Sequence, residues 1–206
     1  MTDDSEMAMC IMYGLTDKEC AQIPEEVAKV LNLDGITYYF GKWQWNAYDI
    51  DLTTSKALLA VEDRNKKIHN YTVPVFRNVK TLNHFSQSNG GLMRITPLIV
   101  WGRNLSNQEL YQAIKLETHL THLREEVIES AYLYGFALRY LYKNSGKAME
   151  AYEMTREECF RRVRSNEAKA RIDSWFNEVD AGLLPTTEVN IDWAKIGFNY
   201  AFFFLK

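Results

Sequence analysis

Apolar and polar positions follow helical spacing over most of this chain. From Arg124 to Asn144, the residues Val127, Ala131, Tyr134, Leu138 and Leu141 fall at three- and four-residue steps and share one helix face. Gly146 stands just beyond as a stop signal. Met7 to Tyr13 (MAMCIMY) is apolar all round, the pattern of a helix buried in the middle of a bundle. Asp3 as N-cap with Glu6 three residues later would fill the capping roles at its start. Capping boxes at Thr16–Glu19, Ser106–Glu109 and Thr155–Glu158 predict three more starts, the second leading to about Thr118 and the third through Ala168. Pro24 opens a short helix to about Leu31, the segment from Asp49 to Thr54 reads as an acidic helix start, and Trp193 to Leu205 as a last apolar helix. Strand signals are few. Tyr71 to Phe76 could be extended, although Pro74 is poorly placed in a sheet. The stretch from Asp63 to His84 is polar and weakly periodic, and predicts a long loop. There is no internal repeat. The expected fold is all-α, a single-domain helical bundle spanning residues 1–206.

Composition narrows this picture. With 206 residues, 47% of them hydrophobic, the chain can bury a sizeable core. A net charge of -3 gives no electrostatic reason to expect nucleic acid or an acidic membrane as partner, so an anionic ligand must be held by local donors. No apolar run reaches membrane-spanning length. The three cysteines, Cys10, Cys20 and Cys159, form no CxxC and have no His at zinc spacing. Their odd number and the lack of a secretory signal point to a reducing, cytoplasmic setting without disulfides. A helix apolar on all faces is an unusual first element, and the chain stops inside the run Phe202-Phe203-Phe204-Leu205. Both features suggest part of a larger bundle, with a complementing chain as one expected partner.

Several short strings carry candidate chemistry. Thr2-Asp3-Asp4-Ser5 puts two carboxylates and two hydroxyls at a helix start, hard oxygens of the kind magnesium takes. Taken alone, the commoner reading is helix capping. In Ser88-Asn89-Gly90-Gly91-Leu92-Met93-Arg94, two glycines let backbone N–H groups approach a ligand just before an apolar helix, although an ordinary loop would look the same. His119 and His122 lie three residues apart and could share a metal; His119 reads better as a helix C-cap, and His122 stays open. Trp43 and Trp45 could stack on a base, a role that competes with the commoner one of core packing.

The order of these strings adds to their meaning. TDDSEMA, then DIDLTT, then SNGGLMRITPL, then LTH before a long amphipathic helix resemble the ADP-ribosylglycohydrolase family, which includes the glycohydrolase that reactivates dinitrogenase reductase. The resemblance runs from Thr2 to about Leu141 and returns weakly at Ile196-Gly197-Phe198. It implies a magnesium-dependent hydrolase that cleaves the glycosidic bond between ADP-ribose and a protein side chain or small acceptor. It further implies two magnesium ions, with Thr2, Asp3 and Asp4 as metal ligands. Ser86, Ser88, Asn89 and Gly90 would line the ADP-ribose pocket, with Thr121, His122 and Asp49 beside it. The implied partners are an ADP-ribosylated protein or an ADP-ribose-containing small molecule. This chain departs from the family pattern at Ser88 and Asp51, where the family usually has Gly, and at Arg124, where it often has His or Asn. The family's glycine-rich segment and glutamate ahead of T-D-D, and its later G-G-D-x-D-T motif, have no counterpart here. No catalytic residue or general base is therefore assigned. The alternative expectation is a catalytically incomplete remnant that binds ADP-ribose or serves as a helical interaction protein.

Overall fold

A computed structural model of the chain describes residues 2–17, 31–59, 61, 71–183 and 193–203. Helix accounts for 76% of the described residues, and no strand occurs among them. The helices are α1 (Asp3–Thr16), α2 (Leu33–Gln44), α3 (Leu52–Leu58), α4 (Thr72–Leu82), α5 (Gly90–Met93), α6 (Thr96–Trp101), α7 (Asn107–Thr118), α8 (Glu125–Lys143), α9 (Ala148–Arg162), α10 (Asn166–Asp180) and α11 (Trp193–Phe203). No described helix is long and apolar enough to cross a membrane.

Helix α8 is the hub, packed against α5, α6, α7, α9, α10 and α11. Its buried stripe includes Val127, Ala131, Leu133 and Ala137, and Gly146, at φ 81°, sits in the turn that follows it. The Ser106 box forms as predicted: Ser106 Oγ accepts from the Glu109 N–H, and the Glu109 carboxylate accepts from the Ser106 N–H. A cluster of Phe176, Phe198 and Phe202 joins α10 to α11, the first two edge to face at 4.9 Å between centroids. Such pairs add about 0.5–1.5 kcal/mol each beyond their buried area.

Helices α1 and α2 form the tightest pair. Gly14 and Gly35 let the backbones touch: a Cβ on Gly14 would stand 2.5 Å from the Ile36 Cα. Asn32 fastens the junction, accepting from the Gly35 N–H at 3.0 Å and donating to the Gly14 carbonyl at 2.9 Å. Helix α1 buries Met7, Cys10 and Ile11. Burial on every face does not occur, because α2, α5 and α6 cover one side and leave Met9, Met12 and Tyr13 at 37–46% exposure.

Other expectations are corrected. Thr2, not Asp3, is the N-cap of α1, and Glu6 is drawn away to accept a hydrogen bond from Trp43 Nε1 at 2.7 Å. Residues 72–82, expected as extended chain and loop, are helical. Pro74 falls in the first turn of α4, where its missing N–H costs nothing. Asp34 of α2 caps that helix by accepting from both the N–H and the hydroxyl of Thr72. Thr155 and Glu158 lie inside α9, which begins at Ala148. The Thr155 hydroxyl bonds the Ala151 carbonyl, and Glu158 accepts from Tyr132 and Arg161. Helix α9 ends at Arg162, and Ser165 caps the start of α10. Thr16, expected as an N-cap, is instead the last residue of α1, its hydroxyl donating to the Met12 carbonyl at 2.9 Å. The rest of that box from Lys18, the helix expected from Pro24, the remainder of the expected 63–84 loop before Tyr71, and Leu205 fall outside the described residues.

Candidate functional site

The chain from Ser86 to Gly90 is held by contacts from four sides. Asp51 caps α3, its Oδ1 accepting from the N–H groups of Thr53 and Thr54, and the Thr53 hydroxyl meets Ser86 Oγ at 2.9 Å. Asn83 spans the two neighbouring turns by donating to the carbonyls of Thr53 and Thr121. Gln87 donates to Glu126 Oε1 at 2.7 Å and accepts from Arg171 at 3.1 Å. Its carbonyl accepts from the Ala194 N–H at the start of α11. Burial works to raise the Glu126 carboxyl, but its own backbone N–H, Arg124 and Gln87 together hold it below its ordinary value. Gly197 of α11 closes on Asn89: a Cβ there would stand 2.9 Å from the Asn89 Cβ.

His122 forms the floor. It is fully buried, with Nε2 2.6 Å from Ser88 Oγ and Nδ1 2.7 Å from Thr121 Oγ1. Gly90 lies against its ring, where a Cβ would come within 3.1 Å of Cε1. Behind it, Arg94 donates to Thr121 Oγ1 at 2.8 Å and to Glu117 Oε1 at 2.6 Å, and both members of this ion pair are fully buried. Burial pushes the His122 imidazole down to about 3, with the Arg94 charge adding to the effect and Asp51 opposing it. The ring is neutral at physiological pH.

The acidic pair occupies the first turn of α1, a helix that packs against α5. The Asp4 N–H donates to Asp3 Oδ1 at 3.0 Å, and the hydroxyls of Thr2 and Ser5 meet at 3.3 Å. The surrounding protein, and next the adjacent Asp3 carboxylate, raise the Asp4 carboxyl above its ordinary value. Two carboxylates with hydroxyl oxygens beside them fit a magnesium ion that draws the rest of its shell from water or ligand. Among the described residues, no three His, Cys, Asp or Glu side chains group as metal ligands.

The structure therefore brings Ser86, Ser88, Asn89, Gly90 and His122 together. Among the described residues, neither Asp3 nor Asp4 hydrogen-bonds that loop. Asp49 is exposed just ahead of α3, and the half-buried Asp51, two residues on, is the carboxylate felt by His122. Trp43 is half-buried against Glu6, and Trp45 is 44% exposed. Sequence reasoning missed Asn83, Gln87 and Glu117, and gave Arg94 no role. The available signal was a charge inside an apolar run, as in LMRITPLIV and AIKLETHL. A separate cleft of about 770 Å³ opens between α7, α8 and α9. Four of its six lining charges pair, Arg162 with Glu129 and Arg161 with Glu158, which fits a structural network.

The family model for ADP-ribosylglycohydrolase matches residues 1–202. No curated protein and no solved structure matches.

Proposed function

We propose, from the premise that this chain belongs to the ADP-ribosylglycohydrolase family, that it hydrolyses the bond between ADP-ribose and a protein side chain or small acceptor with magnesium at Asp3 and Asp4. The observation that carries this reading is the match over residues 1–202 together with the loop described above. Members of this family hydrolyse ADP-ribose linkages.

Ser86, Ser88, Asn89 and Gly90 present hydroxyl, amide and backbone donors suited to an oxygen-rich, anionic ligand. The first-turn N–H groups of Gly90 and Gly91 have no partner within their helix. Such donors answer the need for local anion binding that a net charge of -3 imposes. His122 stays neutral and acts through Ser88, since its own ring is sealed from solvent. Asn83, Gln87 and Arg94 keep the loop in register without reaching the ligand. Asp3 and Asp4, with Thr2 beside them, would hold the ion. Magnesium bound there would supply Lewis-acid chemistry and lower the pKa of water.

The experiment is to incubate the chain with an ADP-ribosylated arginine protein and an ADP-ribosylated serine peptide, with magnesium or with a chelator, and to measure free ADP-ribose. Magnesium-dependent release that Asp3→Asn and Asp4→Asn abolish supports the reading, and names the acceptor. Binding of ADP-ribose without release would instead identify a binding module. Neither release nor binding leaves a helical interaction protein.

A further inference from the structure

The polar contacts around His122 have a direction, which follows from where each proton can go. Arg94 carries donors only, so its Nη2 donates to Thr121 Oγ1 at 2.8 Å. The Thr121 hydroxyl owns one proton, and its remaining contact is His122 Nδ1 at 2.7 Å. An Nδ1–H would leave the fully buried Thr121 hydroxyl proton with no acceptor among the described residues, so Nδ1 accepts that proton as a bare nitrogen. The ring keeps its own proton on Nε2, which donates to Ser88 Oγ at 2.6 Å. A doubly protonated ring is opposed by burial and by Arg94. The head of the relay cannot turn round, because Arg94 is locked to Glu117 at 2.6 Å and lies over the Phe40 ring. Ser88 is left holding a hydroxyl proton that no described residue accepts.

We propose that Ser88 is a specificity-determining hydroxyl: fixed as an acceptor toward His122, it offers one O–H donor to the ligand and selects an oxygen with a free lone pair. This rests on the ADP-ribosyl pocket proposed above, where that oxygen belongs to a phosphate or to a ribose. Ser88 is half-buried, so a ligand reaches it while His122 stays sealed. Gly90 keeps the approach open, since a Cβ there would stand 3.7 Å from Ser88 Oγ. The same polarity excludes Ser88 and His122 as a nucleophile and its base. A base must take the serine proton, and the nitrogen facing Ser88 already carries one.

Nitrogen-15 NMR of the histidine rings in the full chain reads the tautomer directly, with the His122 signals assigned by their loss in His122→Asn. The expected result is Nε2–H in the wild type, and loss of that fixed tautomer in Thr121→Val, which removes the donor to Nδ1. Calorimetric titration with ADP-ribose and with ADP then compares the wild type with Ser88→Ala. Roughly tenfold weaker binding is expected, the effect of one lost hydrogen bond. Equal loss for both ligands assigns an oxygen of the shared ADP part, and loss confined to ADP-ribose assigns an oxygen of its terminal ribose. An Nδ1–H tautomer in the wild type, or unchanged binding of both ligands by Ser88→Ala, overturns the proposal. A wild type that shows Nε2–H and yet binds neither ligand overturns the pocket reading itself, and the ligand assigned to Ser88 with it.

Discussion

The indole N–H of Trp43 donates to Glu6 Oε2 at 2.7 Å, joining the last turn of α2 to the first turn of α1. Asp3 and Asp4 sit in that same first turn, where helices fray most easily. Trp43→Phe should cost about 0.5–1.5 kcal/mol and weaken magnesium binding several-fold, with the His122 tautomer unaltered. Hydrogen exchange in the first turn of α1 and calorimetry with magnesium check this. Unchanged protection there would mean that the acidic pair is ordered by something else.

Arg94 and Glu117 neutralise one another in full burial. Removing one partner strands the other charge, at a cost of about 3–5 kcal/mol. Arg94→Met should therefore lower the urea midpoint sharply, and Arg94→Met with Glu117→Leu should recover most of the loss. A double variant no more stable than the single one would show that the pair is needed for more than mutual neutralisation.

The buried His122 and the half-buried His119 set an acid limit. His122 is held down to about 3 and His119 to about 4, the latter by burial and then by Lys115 and Lys80. Both start from 6.5 when unfolded. Below that value the unfolded chain takes up protons that the folded chain refuses, so stability falls with pH, by at most about 1.4 kcal/mol per unit for each ring. The His122 share ends near pH 3 and the His119 share near pH 4. Burial raises Glu117, which acts with the opposite sign as it binds its proton. Denaturation curves between pH 7 and pH 4 should steepen the loss below 6.5, and His122→Asn should flatten it.

Two glycines separate stability from binding. Alanine at Gly14 would meet backbone atoms of Ile36 at 2.5 Å, which cannot yield without parting α1 from α2. We expect a loss of about 1–3 kcal/mol or more. Alanine at Gly90 comes tightest to His122 Cε1 at 3.1 Å, a side-chain contact relieved by a shift of a few tenths of an ångström, with Ser88 Oγ next at 3.7 Å. Its folding should change little while ADP-ribose affinity falls. Urea titration of both variants, with calorimetry on the second, checks the contrast; equal stability losses would contradict it.

Much of the fold was legible because its signals are local. The Ser106 box, the helix α8 and the Asp51 start of α3 each complete within a turn or two of chain, and the structure reproduces them, although of the stripe read along α8 Val127 and Ala131 are buried and Tyr134, Leu138 and Leu141 only half-buried. The strings TDDSEMA and NGGLMR were equally readable, and the family match agrees with them. Helix α2 was not legible: Leu33–Gln44 carries two glycines and several β-branched or aromatic residues, all weak helix formers. The glycines are there because α1 and Val61 come too close for a side chain. Helix α4 owes its cap to Asp34, 38 residues away, and Glu158 forgoes a capping role for Tyr132 of another helix. The proton order from Arg94 through Thr121 and His122 to Ser88 exists only once the ends of α5 and α7 meet. Residue types alone decided which groups could donate or accept. Which of them did so was decided by tertiary packing, because a buried polar atom must take whatever partner folding brings within reach.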